Sequence, residues 1–281
     1  MLEKGTVPWR QPWTELGPPQ NLISRRLYKG INVFLLAARG YALPYWLPLQ
    51  QLQKLGGTLK CGEEPSEIAC WQWWPRTVTG SGNKGKSRKQ ERVLWEPRCW
   101  FHQVYNVEQC RGIESRVPKL KTHEFNPIQR CDQLIIGMLT NVAVQHREPE
   151  AYYSPIFDFV NMPNRQLFHN DEEYYSTLFH ELVHSTGHQS RLNRHKYLER
   201  GFRPDLHEYT QEELVAEMGT AFLCAKATIS SRTLENSAAY IGRWLQVLEN
   251  DKRAVFHASA QAQKAFEYIV NQNSIKSKNA G

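Results

Sequence analysis

The segment Phe179-His180-Glu181-Leu182-Val183-His184 contains the spacing HExxH. On a helix, residues four apart lie on one face, so the imidazoles of His180 and His184 can reach one metal ion. Glu181, next to them, is placed to take a proton from a water held by that ion. Two histidines leave a zinc site short of a third protein ligand. A source lies downstream, in Tyr209-Thr-Gln-Glu-Glu213-Leu-Val-Ala-Glu217-Met-Gly-Thr-Ala-Phe222. Glu213 and Glu217 are four apart there, on one face of a second predicted helix. An acid pair so spaced can divide the work, the first binding the metal and the second orienting a ligand histidine from behind. Glu213 is taken as the ligand and Glu217 as the orienting acid, and spacing alone leaves the exchange of the two open. Zn²⁺ is the expected ion, with Mn²⁺ or Co²⁺ as substitutes. Held there, it would bring the pKa of its water towards ~7 for attack on a peptide carbonyl. The stretch His184-Ser-Thr-Gly187 opens like the longer pattern HExxHxxGxxH, whose final position is Ser190 here and not His. His188 is therefore read as a substrate-side or capping residue. Tyr209 and His188 are the two candidates, unranked, for stabilising an oxyanion.

Two helices must carry these groups. Asn170-Asp171 supplies an N-cap, and Glu172 and Glu173 place acids in the first turn, where the helix dipole favours them. Tyr175, Leu178, Phe179, Leu182 and Val183 give this helix an apolar face. The run Ser-Thr-Gly after His184 predicts its end near Gly187. The second helix sets its acids against Leu214, Val215 and Met218. Residues 151–154 and 157–160 read as short strands ending at Met162-Pro163. An edge strand at that place can take up an extended peptide. Asp158 and Asn161 are read as turn or surface groups, with lining of that cleft as the alternative. Further helices are predicted over 237–248 and 253–270, then a polar, disordered tail over 274–281.

The chain has 281 residues with 35 Lys+Arg and 28 Asp+Glu, a formal charge of +7. At roughly 100–200 residues per domain this is one or two domains. The charge is unevenly spread. Residues 1–145 hold 20 Lys+Arg and 11 Asp+Glu, a net of +9; the remainder hold 15 and 17, a net of −2. Eight of the nine Trp fall in the first part and eight of the ten His in the second, which predicts two domains with different chemistry. Hydrophobic content of 41% with 11% aromatics excludes a disordered chain. No run of about 18 apolar residues offers a membrane span, and the first ten residues hold no signal-peptide core. The six cysteines form no CxxC pair. A cytoplasmic protein with reduced thiols is expected.

In the basic part, prolines 8, 12, 18 and 19 favour an extended arm. Residues 25–40 read as a helix start, a buried helix and a Gly stop, and 47–55 as a second short helix ended by Gly56-Gly57. From 58 to 105 the pattern turns to β, with strands at 68–74, 92–95 and 99–105. Between them lies a Gly- and Ser-rich stretch with Lys84, Lys86, Arg88, Lys89 and Arg92 against one acid, Glu91. It reads as a mobile hairpin tip, either a finger that contacts phosphates or a solvated loop. Trp71, Trp73, Trp74, Trp95 and Trp100 flank it. Basic groups that track phosphates beside aromatic faces that stack unpaired bases make a single-strand site. Tryptophans at alternating strand positions are equally ordinary core residues.

The chain resembles, over nearly its whole length, the ArdC-type plasmid antirestriction proteins and related polyvalent proteins of mobile elements. The matching stretches in the first half are Val7 to Trp13, Asn21, Arg26 to Leu36, Gln50 to Gly57, Gly62-Glu63 and Val104 to Gln109. In the second half they are Ala151 to Pro155, Leu178 to Asn193 and Glu212 to Ala225. The first half is also similar to a segment of plasmid-encoded primases. The resemblance implies an α+β chain: a small single-stranded-DNA-binding domain over 1–125, then a mostly helical, zincin-like metallopeptidase domain of gluzincin type over 126–273. DNA contacts are then expected from Trp9, Arg10, Trp13, Arg25, Arg26, Tyr28 and Lys29, together with Lys84, Lys86, Arg88, Lys89 and Arg92. The segment after Gly57 is more acidic here than in the family, and the Lys84–Arg92 loop is the basic run that remains. The implied function is non-sequence-specific binding of single-stranded DNA coupled to a metallopeptidase-like domain, protecting incoming mobile-element DNA from restriction. Its protein substrate would be a restriction enzyme or a DNA-bound protein. One alternative is a Spartan-like, DNA-dependent protease for DNA-bound or crosslinked proteins. The other is a plain metallopeptidase with an incidental basic surface.

Overall fold

The computed structural model describes residues 17–79, 91–118, 127–196, 205–229, 251 and 253–279. Trp9, Arg10, Trp13, Lys84, Lys86, Arg88 and Lys89, and the helix expected over 237–248, lie outside the described residues.

The first half is built on a long hairpin. Strands β4 (Ser66–Thr79) and β5 (Glu91–Asn106) pair antiparallel from Ser66↔Val104 to Thr79↔Glu91. Residues rich in Trp, Val and Thr favour this extended form. The sequence suggested two strands where β5 is one, because Glu96-Pro97-Arg98 reads as a break. Pro97 is tolerated because β2 (Tyr45–Leu47) joins β5 only at Tyr105 and Asn106. At Pro97 the outer edge of β5 has no ladder partner among the described residues, so an N–H missing on that side costs no bond. Strand β1 (Gln20–Asn21) adds parallel to β2, and β3 (Thr58–Leu59) pairs with β6 (Cys110–Arg111).

Helix α1 is shorter than expected, Ile31–Ala37, because Gly30 enters it at φ 56° and Arg25 sits at φ 58°. Helix α2 runs Leu49–Lys54, with Leu47 in β2 and Pro48 at the junction. Asn32 of α1 makes a two-point bond to Ala69 of β4, donating to its carbonyl at 2.8 Å and accepting from its amide at 2.7 Å.

The second half is mostly helical. Helix α3 (Pro127–Ile135) is followed by a small sheet of order β7-β9-β8, from Ala143–Gln145, Phe159–Asn161 and Tyr152–Ser154. Strand β8 is one of its two edges and runs antiparallel to β9. Then come α4 (Asp171–Ser185), α5 (Leu206–Ala227) and α6 (Ala254–Asn279). Asn170 caps α4 by accepting from the Glu173 amide at 2.9 Å, and Asp205 and Glu208 form a capping box on α5. Helix α6 runs past 270 and is helical over 274–279, where a disordered tail was expected. No Gly or Pro precedes Asn279 to stop it.

Ala258, Ala262, Ala265 and Ile269 form a narrow buried stripe on α6 at helical spacing, which lets it pack closely. The main core gathers α4, α5 and α6, and it also takes in Val33 and Phe34 of α1. Phe34 stacks on Phe222 at 4.8 Å. Leu36, two residues on, belongs instead to a cluster with Trp46, Ile68 and Val104 at the hairpin base. Lys29–Glu267 (2.5 Å), the Gly30 amide on Gln263 (3.1 Å) and Trp71 edge-on to Phe256 (5.8 Å) tie the halves further. The fold is α+β, and its principal core crosses position 125. All six cysteines are free thiols. No helix among the described residues is long and apolar enough to cross a membrane.

Candidate metal centre and nucleic-acid face

Helices α4 and α5 cross where Gly219 faces Val183: a Cβ at 219 would lie 2.9 Å from both γ-carbons of Val183. That close approach brings the acids of α5 onto the histidines of α4. The Nε2 atoms of His180 and His184 are 3.1 Å apart. Glu213 reaches both, at 3.4 Å from His180 Nε2 and 3.5 Å from His184 Nε2. Donors at about 2.0–2.1 Å on a tetrahedral zinc stand about 3.3–3.4 Å apart; the two Nε2 atoms are 3.1 Å apart, and each meets a different oxygen of Glu213, at 3.4 and 3.5 Å. The donor set therefore fits a divalent metal. Glu217 lies on the far side of His180, 3.9 Å from Nδ1, and is almost wholly buried. Glu181 is buried, and its charge acts on both histidines.

The electrostatics follow from this crowding. Burial alone would lower His180. The Glu213 hydrogen bond and the charges of Glu181, Glu213 and Glu217 outweigh it and raise His180 to about 9. His184 also rises, against its burial, through Glu213 and Glu212. Glu213, which burial would raise, is held at about 2 by the two histidines and by a hydrogen bond from Tyr209.

Tyr209 thus stands in hydrogen-bond contact with the cluster, while its ring is exposed. His188 turns elsewhere: its Nδ1 accepts from the Ser190 amide at 3.2 Å and lies 3.8 Å from Asp158. Asp158 is a working turn residue. At φ 54° it ends the β8–β9 turn and is clamped by Arg191, with Tyr153 donating to it at 2.8 Å. Burial would raise its carboxyl, but Arg191 and Tyr153 keep it below the usual range. Asn161 is buried and holds the loop before β8, bonding the amides of Arg147 and Glu148 and the carbonyls of Glu148 and Glu150.

Three residues escaped the sequence reading. Glu212 lies behind His184, 3.4 Å from Nδ1. Arg194 grips Glu212 with Nε on Oε2 at 3.0 Å and a terminal nitrogen on Oε1 at 2.6 Å. His195 Nε2 is 3.3 Å from the same Oε1. The signal was present as an acid directly before Glu213 and a basic Arg194-His195 pair after the HExxH helix.

On the hairpin, Trp71, Trp73, Trp74 and Trp100 are all exposed, while Trp46 is core. Paired residues share a face. The register therefore puts Trp74, Arg98 and Trp100 on one face, and Trp71, Trp73 and Phe101 on the other. The Trp74 and Trp100 rings are 5.8 Å apart, and the Arg98 guanidinium sits 5.5 Å over Trp74. Arg92 is in β5, opposite Val78. Arg26 is exposed, Arg25 lies 5.0 Å over the Tyr45 ring, Lys29 is paired with Glu267, and Tyr28 is half-buried against the core.

Fold and site together define a zincin-like metallopeptidase domain joined to a β-hairpin domain. Residues 130–261 match the family described as zincin-like metallopeptidase, and residues 1–98 the N-terminal domain of anti-restriction factor ArdC. The metal-free crystal structure of the antirestriction ArdC protein from R388 plasmid is 32% identical, with a TM-score of 0.76. That alignment covers 98% of this chain and 94% of that one. The Mn(II)-bound structure of the same protein is 31% identical, with a TM-score of 0.74 over 97% and 94%. The chain belongs to the ArdC antirestriction family. It is also 31% identical to the DNA primase TraC of Escherichia coli over 96% of its own length, spanning 19% of that primase. An uncharacterized protein, y4eC of Sinorhizobium fredii, is 28% identical over 99% of this chain and 90% of its own.

Proposed function

We propose that this chain protects incoming mobile-element DNA from restriction. Residues 1–125 hold single-stranded DNA without sequence preference, and residues 126–273 form a zinc peptidase unit. The observation that carries the reading is the presence of both features in one chain similar over 98% of its length to the R388 antirestriction protein. Unpaired bases stack on Trp74 and Trp100, with Arg98 beside Trp74 and the basic residues 84–92 following the phosphates.

In the peptidase unit His180, His184 and Glu213 hold a divalent metal, zinc in first place. When bound it polarises a carbonyl and makes its water acidic near neutrality. Glu181 takes a proton from the attacking water and passes it to the leaving amine. Glu217 backs His180, and the Tyr209 hydroxyl bonds Glu213. Strand β8 offers its free edge to an extended peptide.

The test is transfer of unmethylated plasmid into a restricting host that carries wild type or Glu181→Gln, together with oligonucleotide binding across a salt series. Affinity falling steeply between low and moderate salt is expected; flat or absent binding refutes the DNA reading. Undiminished protection by Glu181→Gln removes proteolysis as its cause.

A second reading is favoured by one contact. Trp71 of the hairpin lies on Phe256 of α6, and α6 packs against α5, which carries Glu213. One helix thus touches both the hairpin and a helix of the metal centre, as suits a protease whose substrate is delivered on DNA. Incubating wild type and Glu181→Gln with a restriction endonuclease or a DNA–protein crosslink, with and without single-stranded DNA, decides it. Fragments that need both DNA and Glu181 favour this reading. Fragments without any DNA binding leave a plain metallopeptidase.

A further inference from the structure

We infer that Glu212, clamped by Arg194 and His195, positions His184 by fixing which of its ring nitrogens carries the proton. The inference rests on the metal-site reading above. His184 stands between two neighbouring acids of α5: Glu212 faces Nδ1 at 3.4 Å and Glu213 faces Nε2 at 3.5 Å. A neutral imidazole has one N–H and one lone pair. With Nδ1–H donated to Glu212, the lone pair must be on Nε2, the atom 3.1 Å from His180 Nε2. An outer acid that orients a ligand histidine in this way is a general device of metal sites. Here Glu212 faces His184 Nδ1, while Glu217 stands farther off, 3.9 Å from His180 Nδ1.

Glu212 is itself held in place. A carboxylate offers about four acceptor positions, and four donors face this one. Oε1 meets His184 Nδ1 at 3.4 Å, His195 Nε2 at 3.3 Å and Arg194 at 2.6 Å, and Oε2 meets Arg194 Nε at 3.0 Å. Arg194 is in turn fixed by Thr186 Oγ1 at 2.7 Å and the Val183 carbonyl at 2.9 Å. Its backbone amide and that of His195 both bond the Gly187 carbonyl, at 2.8 and 3.1 Å. A Cβ at Gly187 would lie 2.4 Å from His195 Nε2, so only glycine there lets His195 reach the acid. The segment after the HExxH helix thus folds back to grip the acid behind its last histidine.

His184, His195 and Glu212 could in composition be a second metal site, since one ligand atom of each lies within 4.8 Å of the others. The Arg194 guanidinium argues otherwise. It puts a fixed positive charge 2.6 Å from the oxygen a second cation would need, and four bonds hold it there.

The test uses the full chain, wild type and Glu212→Gln, with zinc and manganese titrated by calorimetry and the His184 tautomer read by long-range ¹H–¹⁵N correlation. Expected are one metal per wild-type chain and His184 protonated at Nδ1. Glu212→Gln should lower metal affinity about 10–100-fold and give a mixed His184 tautomer, with His180 unchanged. Gly187→Ala, which displaces His195, gives the same reading with Glu212 intact should Glu212→Gln not fold. Folded variants with wild-type affinity and tautomer overturn the inference, since a merely structural clamp would change only the melting temperature. Two metals per chain overturn it in favour of a second site. A wild type that binds neither metal refutes the metal-site reading, and this inference with it.

Discussion

Metal binding to this chain should be paid in protons. The metal-free cluster raises His180 to about 9 and holds Glu213 at about 2, so at pH 7 the ring is cationic and the acid anionic. A ligand histidine must be neutral. Zinc therefore has to displace a proton from a group about two pH units above neutrality. At about 1.4 kcal/mol per unit, that is about 3 kcal/mol, or about 100-fold in apparent affinity. Affinity should rise about tenfold per pH unit from 7 towards 9 and then level off. Calorimetry at pH 7 in two buffers of different ionisation enthalpy, with a chelator fixing free zinc, should count at least one proton released. The metal-free fold carries the matching signature. A raised His180 gives stability that is complete below its ordinary 6.5 and is lost as pH climbs through about 9. A depressed Glu213 gives stability present above its ordinary 4.5 and lost as pH falls through about 2. Zinc affinity that is flat between pH 7 and 9 with no proton released would refute this account of the cluster.

Gly219→Ala should destabilise by about 1–3 kcal/mol in denaturant, since its methyl meets a stiff Val183 at 2.9 Å, and should weaken metal binding by parting α5 from α4. Trp74→Ala and Trp100→Ala should each cost about 1–3 kcal/mol of oligonucleotide affinity in fluorescence anisotropy and leave the melting temperature nearly unchanged, because both rings are exposed. Asn32→Ala strips the two bonds to Ala69 and should cost about 1–3 kcal/mol in thermal unfolding.

The metal ligand candidates were readable because they are local. HExxH and the Glu213/Glu217 pair each lie within one helix, and the Asn170 cap announces where the first begins. Glu212 was not readable. It sits one position, a hundred degrees of helix, from Glu213, and only the fold-back that seats Arg194 and His195 against it distinguishes it from a solvated acid. The hairpin shows the same limit. Its composition signalled β-structure, but whether Pro97 breaks a strand depends on what lies at the outer edge. Alternation likewise separated the tryptophans by face without saying that Trp71 meets Phe256 of α6 edge-on or that Trp74 and Trp100 lie side by side. The charge split suggested two domains with different chemistry; that Val33 and Phe34 deliver their side chains to the distant core is a destination that no local pattern encodes.

Helix α1 acts as a rivet. Seven residues long, it sends Phe34 into one half and Leu36 into the other. A cut between the halves would strip Phe222 of the ring that stacks on it. Inheritance follows the mechanics: within a primase several times its length, it is 96% of this chain that finds its counterpart, hairpin and metal helices together.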